Sequence, residues 1–350
     1  MRLKKHLIMS FQDYSLKFIS KAENKGLTAE SIHRLLKYAE KLYSNNFPII
    51  YNRKHLSTYI KIKNSYFDEL ILTPQKFYKS FKIKKKNSED YRVINTPFPN
   101  LRFIQNWILK NILYNLQSHA NATAYIKGKS LKDNLEKHIA QPIVLKLDII
   151  NFFDSIDECL VQNLFNSIGF TIELSKDFAK ICCLNNSLPQ GASTSAYISN
   201  LILLNFDTVI SDYCIINNIN YTRYADDLTF SGNLNCEDII NKVSEELKKI
   251  SPQLNLNLSK KQIMYSHQKQ YVTGVIVNEK IQLDKESRNY LRMISFLIDK
   301  QKFDDYVKNK LKVDKIDFIH QLLGQVNFGI FLNPDDTKLV ELKKKIHNIK

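Results

Sequence analysis

Between Leu27 and Tyr43 the chain reads LTAESIHRLLKYAEKLY, in which Ile32, Leu35, Leu36, Ala39, Leu42 and Tyr43 recur at helical spacing behind Thr28. That predicts an amphipathic helix with Thr28 as its N-cap. FPIIYNRKHLSTYI, from Phe47, mixes a short apolar run with Pro and Asn and reads as a link into the next unit. FYKSFKIKKKNSEDYRVINTPFPNLRFIQNWILKNIL then predicts strand, polar turn, strand, and a helix from about Asn100. Ile143 to Ile149 reads as a buried strand, with a helix starting near Ser155 and Asp157, both able to cap it. LPQGASTSAYISNLILLNFDTVISDYC is a small-residue turn feeding one long helix, on which Ile198, Leu201, Ile202, Leu204, Val209 and Ile210 cover a broad face. INYTRYADDLTFSG predicts a hairpin and CEDIINKVSEELKKI an amphipathic helix, while QLNLNLSKKQIMY and QYVTGVIVNEKIQL predict strands. Beyond Asp284 the pattern is helical and lysine-rich. The order of these elements implies an α+β fold, an antiparallel sheet backed by helices on one face. There are no internal repeats, and 8 Gly and 8 Pro leave no flexible linker between independent modules.

Composition narrows the partners. With 44% hydrophobic and 11% aromatic residues, the 350-residue chain can build sizeable cores. Lys and Arg number 51 against 35 Asp and Glu, a formal net charge of +16, which points to a polyanion: nucleic acid first, an anionic membrane surface second. No stretch approaches the roughly 18 consecutive apolar residues that a membrane span needs, and the basic N-terminus runs into Phe11, Gln12 and Asp13 without a cleavage site. A cytoplasmic protein is expected. None of the five cysteines sits in a C-x-x-C pair, so reduced, mostly core thiols are expected. Lys82, Lys84, Lys85 and Lys86, with Arg92 across the turn and Phe77, Tyr78, Phe81 and Tyr91 interleaved, read either as a flap over phosphates or as a solvated charged hairpin.

Asp226 and Asp227 taken alone are compatible with a solvated turn. The predicted topology, however, brings Asp148, at the end of one strand, to the same edge of the sheet. Three crowded carboxylates need a cation, and hard oxygen donors without His or Cys favour Mg²⁺ or Mn²⁺. A pair of such ions roughly 3.5–4 Å apart serves in-line phosphoryl displacement, the chemistry of nucleotide polymerisation.

Tyr224 to Asp227 (YADD), preceded in order by LDIINFFDSI and LPQGASTSAYISNL, resembles the palm of a bacterial reverse transcriptase. More narrowly, the chain resembles the retron reverse transcriptases from about Pro48 through the Val272-Thr-Gly274 element. The likeness includes YRVINTPFPNLRFIQNWIL, Tyr125-Ile-Lys-Gly-Lys-Ser130 and Asn134-Leu-Glu-Lys-His138, with Leu135 where the family usually carries Ala. The resemblance implies a right-hand polymerase: an N-terminal helical extension over 1–46, fingers over 47–142, palm over 143–284 and a short helical thumb over 285–350.

It also implies roles for individual residues. Asp148, Asp226 and Asp227, with the main-chain carbonyl of Ile149, would be the metal ligands for two Mg²⁺ ions, with Mn²⁺ as a substitute. Phe153 would be the aromatic gate under the deoxyribose, and Asp154 and Asp157 belong to the start of the following helix. Gln190 and Gly191 would touch the incoming dNTP, Arg92 would clamp its triphosphate, and Lys260, in the element beginning at Asn257, would face phosphate. Val272, Thr273 and Gly274 are candidates to contact primer or RNA, and Arg288 and Arg292 to grip a structured RNA. Asn134 and His138, four apart on a helix, read either as RNA contacts or as a buried polar pair.

The implied activity is RNA-directed DNA synthesis primed from a 2′-hydroxyl of the enzyme's own structured noncoding RNA. Its product would be branched multicopy single-stranded DNA (msDNA), made within an antiphage ribonucleoprotein that includes a separate effector protein and no membrane. Two alternatives stand beside it: another defence-associated or group II intron-like reverse transcriptase, and an RNA-binding scaffold that keeps the polymerase fold without turnover.

Overall fold

The computed structural model describes residues 9–84 and 89–349. Contacts divide the chain into two units built from interleaved segments. The first takes residues up to His119, Ile150–Thr208 and Leu247–Asn255; the second takes Ala120–Ile149, Val209–Glu246 and the chain from Leu256 onward.

The first unit is mostly helical. Ala29–Ser44 forms as its periodicity predicts, with the Thr28 hydroxyl accepting from the Ser31 N–H at 3.3 Å and Ile32, Ala39 and Leu42 buried. The stretch expected to be a link contains a helix instead, Arg53–Ile60. Its Asn52 is not a breaker but an N-cap, accepting from the His55 N–H at 2.8 Å, and Leu56 and Ile60 reach the core. A salt bridge from Arg53 to Asp177 at 2.6 Å and to Asp68 at 2.7 Å ties this helix to Asn64–Leu72 and Ile172–Cys182. The predicted hairpin is β1 (Tyr78–Lys84) paired antiparallel with β2 (Tyr91–Pro97), Ile83 lying opposite Arg92. Lys85 and Lys86 lie outside the described residues.

From Lys79 outward β1 is exposed, and Phe81, Ile83, Tyr91 and Val93 are exposed with the lysines. The ribbon is therefore as apolar as it is basic. Its base is fixed by Gln105, buried on helix Pro99–Asn111, which donates to the Tyr78 hydroxyl at 2.8 Å and the Ile181 carbonyl at 3.0 Å.

Three further expectations change. Asp157 caps helix Glu158–Ser167 through the Leu160 N–H at 2.9 Å, but Ser155 takes no part in that cap. Its hydroxyl donates to the Ile150 carbonyl at 3.0 Å within the preceding turn, where Asp154 also lies. The single helix expected after LPQGAST is two, Ser195–Ile202 and Leu204–Ile216, interrupted at Leu203. QLNLNL is not a strand, although Leu254 and Leu256 are buried as alternation requires. Only Leu256 pairs, as a single antiparallel bridge to Ile149, while the Asn255 amide donates to the carbonyls of Pro252 and Gln253 at 3.0 and 3.1 Å in a local turn that limits the ladder to that bridge.

The second unit holds the main sheet, ordered β4–β5–β3–β6 and antiparallel throughout. Its strands are β3 (Ile143–Asp148), β4 (Asn220–Tyr224), β5 (Asp227–Gly232) and β6 (Gln262–Tyr265). A small hairpin of β7 (Tyr271–Val272) and β8 (Val275–Ile276) follows. Val144, Met264, Val272, Val275 and Val277 form one apolar cluster with Leu135 and Leu332. As expected, the chain after Asp284 is helical: Lys285–Asp299, Lys315–Leu332 and Thr337–His347 pack around Leu291, Ile294, Leu322, Val326 and Leu342. Among the described residues no helix is long and apolar enough to cross a membrane. Cys182, Cys183 and Cys214 are buried free thiols, as expected, whereas Cys159 is exposed.

Gly191 shows how tightly the first unit is assembled. At φ +117°, a Cβ here would stand 2.8 Å from the Asn95 carbonyl oxygen, while the Asn95 N–H donates to the Gln190 carbonyl at 2.7 Å. Gly191→Ala adds that clash to a backbone penalty of roughly 1–3 kcal/mol. We expect a clear fall in the urea midpoint; an unchanged midpoint would show that the turn is not packed against β2 as described.

Candidate active site

In the second unit, Asp148 ends β3 and Asp227 begins β5, and the ladder places them directly opposite each other. Directly opposed residues of an antiparallel pair point to the same face, so two carboxylates share one patch of the sheet's end, a destabilising like-charge pair. Tyr224 of β4 lies opposite Asp227 in turn, which makes Tyr224, Asp227 and Asp148 a single row across three strands. Asp226 stands beside this row in the two-residue turn, with its main-chain carbonyl accepting from the Ile149 N–H at 3.2 Å. Of the three carboxylates inferred from sequence to converge, Asp148 and Asp227 are thus opposed at the sheet's end, and Asp226 lies next to them in the chain.

The Lys260 ammonium lies 3.2 Å from Asp148 Oδ2. The structure therefore places Lys260 at the carboxylates. With the lysine side chain 64% exposed, this pair contributes little to stability, and its consequence is local charge balance. The donor chemistry, opposed carboxylates with no thiol or imidazole, fits a hard divalent cation. Among the described residues no three His, Cys, Asp or Glu side chains already converge on one point as a metal cage. The Asp148–Asp227 pair is the assembled part; Asp226 and the Ile149 carbonyl are its neighbours in the chain.

The turn itself is strained. Ala225 has φ +59°, a conformation that costs a residue with a Cβ roughly 1–2 kcal/mol. Its carbonyl accepts from the guanidinium of Arg223 at 3.1 Å, and Arg223 is fully buried. The Arg223 main chain is itself bracketed: its N–H donates to the Asn121 carbonyl at 2.8 Å, its carbonyl accepts from the Thr123 N–H at 2.8 Å, and Ala122 forms a parallel bridge to it. Segment 121–123 thus covers the open edge of β4, the strand that leads into the aspartates.

Residues 83–320 match the family described as reverse transcriptase (RNA-dependent DNA polymerase). A retron Ec83 reverse transcriptase from Escherichia coli is 32% identical over 295 residues, which is 79% of this chain and 90% of that protein. A retron Ec86 reverse transcriptase, also from E. coli, is 31% identical over 256 residues, 72% of this chain and 79% of that protein. The chain belongs to the retron reverse transcriptases. Its fold is correspondingly the right-hand polymerase type, mixed helix and sheet around an antiparallel sheet. A solved telomerase from Candida albicans, bound to a fragment of telomeric RNA, superposes with a TM-score of 0.44 at 11% identity, covering 81% of this chain and 65% of that one.

The remaining candidate residues of this retron reverse transcriptase fall into two groups. Arg92, Phe153, Gln190 and Gly191 all lie in the first unit. Arg92 is exposed on β2, and Gln190 and Gly191 form the turn that seats on Asn95, so the close backbone approach at Gly191 is to the protein's own main chain. Phe152 is 3% exposed and Phe153 only partly buried, their rings 5.4 Å apart in a turn rather than on a strand. In the second unit, Arg288 and Arg292 line a groove of about 360 Å³ between helices Lys285–Asp299 and Thr337–His347.

Direct RNA contact by Asn134, His138 and the Val272 side chain is corrected by burial, since they are 1%, 0% and 0% exposed. His138 sits instead between the strands of the YADD hairpin, Nε2 at 2.8 Å from the Thr222 hydroxyl on β4 and Nδ1 at 2.7 Å from the Ser231 hydroxyl on β5. The Thr222 hydroxyl donates to the Asn134 carbonyl at 3.3 Å, so it accepts from His138 Nε2–H; Ser231 then donates to Nδ1, and the ring is neutral. Thr123 completes the network by donating to Asn134 Oδ1 at 3.1 Å. Val272 lies opposite Val275 at the base of a two-residue turn in which Thr273 (φ +45°) and Gly274 (φ +80°) both adopt left-handed backbone, leaving Gly274 as the exposed member. The sequence carries little signal for Thr222, Arg223 and Ser231: Thr222 and Ser231 alternate to the face opposite Tyr221, Leu228 and Phe230, and Arg223, though it shares that apolar face, is a charged residue.

Burial first, and the neighbouring Lys137 charge second, push the His138 pKa down to about 3. The unfolded chain takes up this proton near pH 6.5, so the stability held by neutral His138 is complete above that pH and falls as the pH drops toward 3. The slope reaches about 1.4 kcal/mol per pH unit. Denaturant midpoints measured between pH 7 and pH 4 are expected to fall more steeply for the wild type than for His138→Gln, which cannot titrate. Parallel slopes would contradict the buried neutral ring.

Proposed function

We propose that this retron reverse transcriptase copies RNA into DNA at the Asp148–Asp227 pair, priming from a 2′-hydroxyl of its own structured noncoding RNA to give branched msDNA. The observation that carries the reading is the direct opposition of two carboxylates beside Asp226, an arrangement that is costly unless cations are recruited to it.

In this reading Asp148, Asp226, Asp227 and the Ile149 carbonyl hold two Mg²⁺ ions, which Mn²⁺ can replace. Once bound, such ions activate the attacking hydroxyl and stabilise the leaving oxygen of the displacement. The protein's own groups do the rest. Lys260, whose ammonium lies 3.2 Å from Asp148, would offer its charge to the phosphates. Arg92 offers bidentate donors to the dNTP triphosphate, Gln190 and Gly191 meet the nucleotide, and Phe153 excludes a ribose by leaving no room for its 2′-hydroxyl.

The fingers, palm and thumb follow the boundaries 47–142, 143–284 and 285–350, after an N-terminal extension over 1–46. Arg292 and Gly274 are exposed positions for RNA or primer, with the half-buried Arg288 and Thr273 beside them, bound through phosphate and shape. The cytoplasmic ribonucleoprotein acts in antiphage defence with a separate effector protein.

The test is the nucleic acid that copurifies with the protein expressed alongside its flanking genomic segment, digested with RNase or DNase and compared with Asp226→Asn/Asp227→Asn. A short DNA that shifts on RNase treatment and is missing from the variant is expected. RNA alone in both preparations would favour the scaffold.

A further inference from the structure

Tyr125 adopts the left-handed conformation, φ +64°, which a bulky side chain rarely tolerates. Its ring does not repay that strain by filling a core, since the residue is 50% exposed. The ring centroid lies 6.5 Å from that of Tyr224, with the planes tilted by 39°. Tyr224 belongs to the row that continues through Asp227 to Asp148, so the pair of rings adjoins the carboxylates on their own face of the sheet.

The backbone around Tyr125 is built to hold it there. Ala122, Thr123 and Ala124 are buried, Ala122 and Thr123 being fastened to Arg223, and immediately after Tyr125 the chain runs out into the exposed Lys127, Gly128 and Lys129. Lys129 shares its charge with Asp133 at 3.7 Å. An anchored segment thus presents one strained, half-exposed aromatic ring, followed by cations, beside two carboxylates. Strain of this kind persists where the surroundings impose it and marks positions of functional use.

We propose that Tyr125 and Tyr224 form a stacking surface for the terminal nucleobase of the primer strand, with Lys127 on its phosphates, so that the terminal hydroxyl is delivered to Asp148 and Asp227. The inference rests on the polymerase reading above. Aromatic faces combined with cations hold nucleic-acid ends whatever the base, because every base has a π face. A 2′- or 3′-hydroxyl is carried on the sugar of that same terminal nucleotide, so stacking the base positions the hydroxyl.

The test uses the full chain and a DNA primer, annealed to an RNA template, that carries 2-aminopurine at its 3′ end. Wild type and Tyr125→Phe are expected to quench the aminopurine on binding, whereas Tyr125→Ala and Tyr125→Gly leave it bright and raise the primer KM roughly 5- to 100-fold, with a smaller change in kcat. Tyr125→Gly separates this from misfolding: glycine relieves the positive φ, so the variant should melt no lower than wild type while losing the quench. Wild-type quenching and KM in both truncated variants would overturn the proposal. A wild type that quenches the primer without extending it would count against the polymerase reading and leave the stacking surface supported.

Discussion

Everything distinctive about the second unit follows from setting Asp148 opposite Asp227 on adjacent strands. Two like charges in one rung of an antiparallel ladder oppose the pairing that brings them together. The register must therefore be enforced from elsewhere, and the sheet supplies that enforcement. β3 is an interior strand, paired with β5 on one side and β6 on the other. Its Leu145 and Leu147 share one buried face and alternate with Lys146 and Asp148, so a slip of one residue would turn the apolar side chains to the wrong face. Lys260, 3.2 Å from Asp148, offsets part of the repulsion.

The hairpin that carries Asp226 and Asp227 is held by a second device. Its turn is strained at Ala225 and its outer strand would be a free edge, yet both are controlled from the 121–138 segment. Asn121 and Thr123 bracket Arg223 through the main chain, the Arg223 guanidinium grips the Ala225 carbonyl, and His138 bridges Thr222 to Ser231 across both strands. A neutral, fully buried imidazole suits this position, since it donates at one nitrogen and accepts at the other without the desolvation cost of a charge. Asn134 and His138 thereby act as positioning residues for the hairpin, and Tyr125 emerges from the same segment.

The sequence made the α+β plan, the β1–β2 ribbon, the YADD hairpin and the carboxylate convergence legible because each rests on local periodicity or turn chemistry. Thr28 and Asp157 were readable as caps for the same reason. What escaped was decided by partners distant in the chain or by local bonds that mimic another element. Asn52 looks like a breaker until its cap to His55 is seen, and Leu254 and Leu256 alternate like a strand while Asn255 folds the backbone locally. Arg223 reads as a surface charge but is fully buried, because its partners come from a segment a hundred residues earlier. Gly191 was traceable to a close approach, but not to the fact that Asn95 makes it.

The most direct measurement of the central claim is extension of a DNA primer on an RNA template by wild type, Asp148→Asn and Asp227→Asn, with the affinity of each protein for the same primer–template determined in parallel. If the opposed carboxylates are the seat of chemistry, both substitutions abolish extension while affinity stays near the wild-type value, because Lys and Arg elsewhere carry most of the binding. Extension at wild-type rate by either variant would contradict the account.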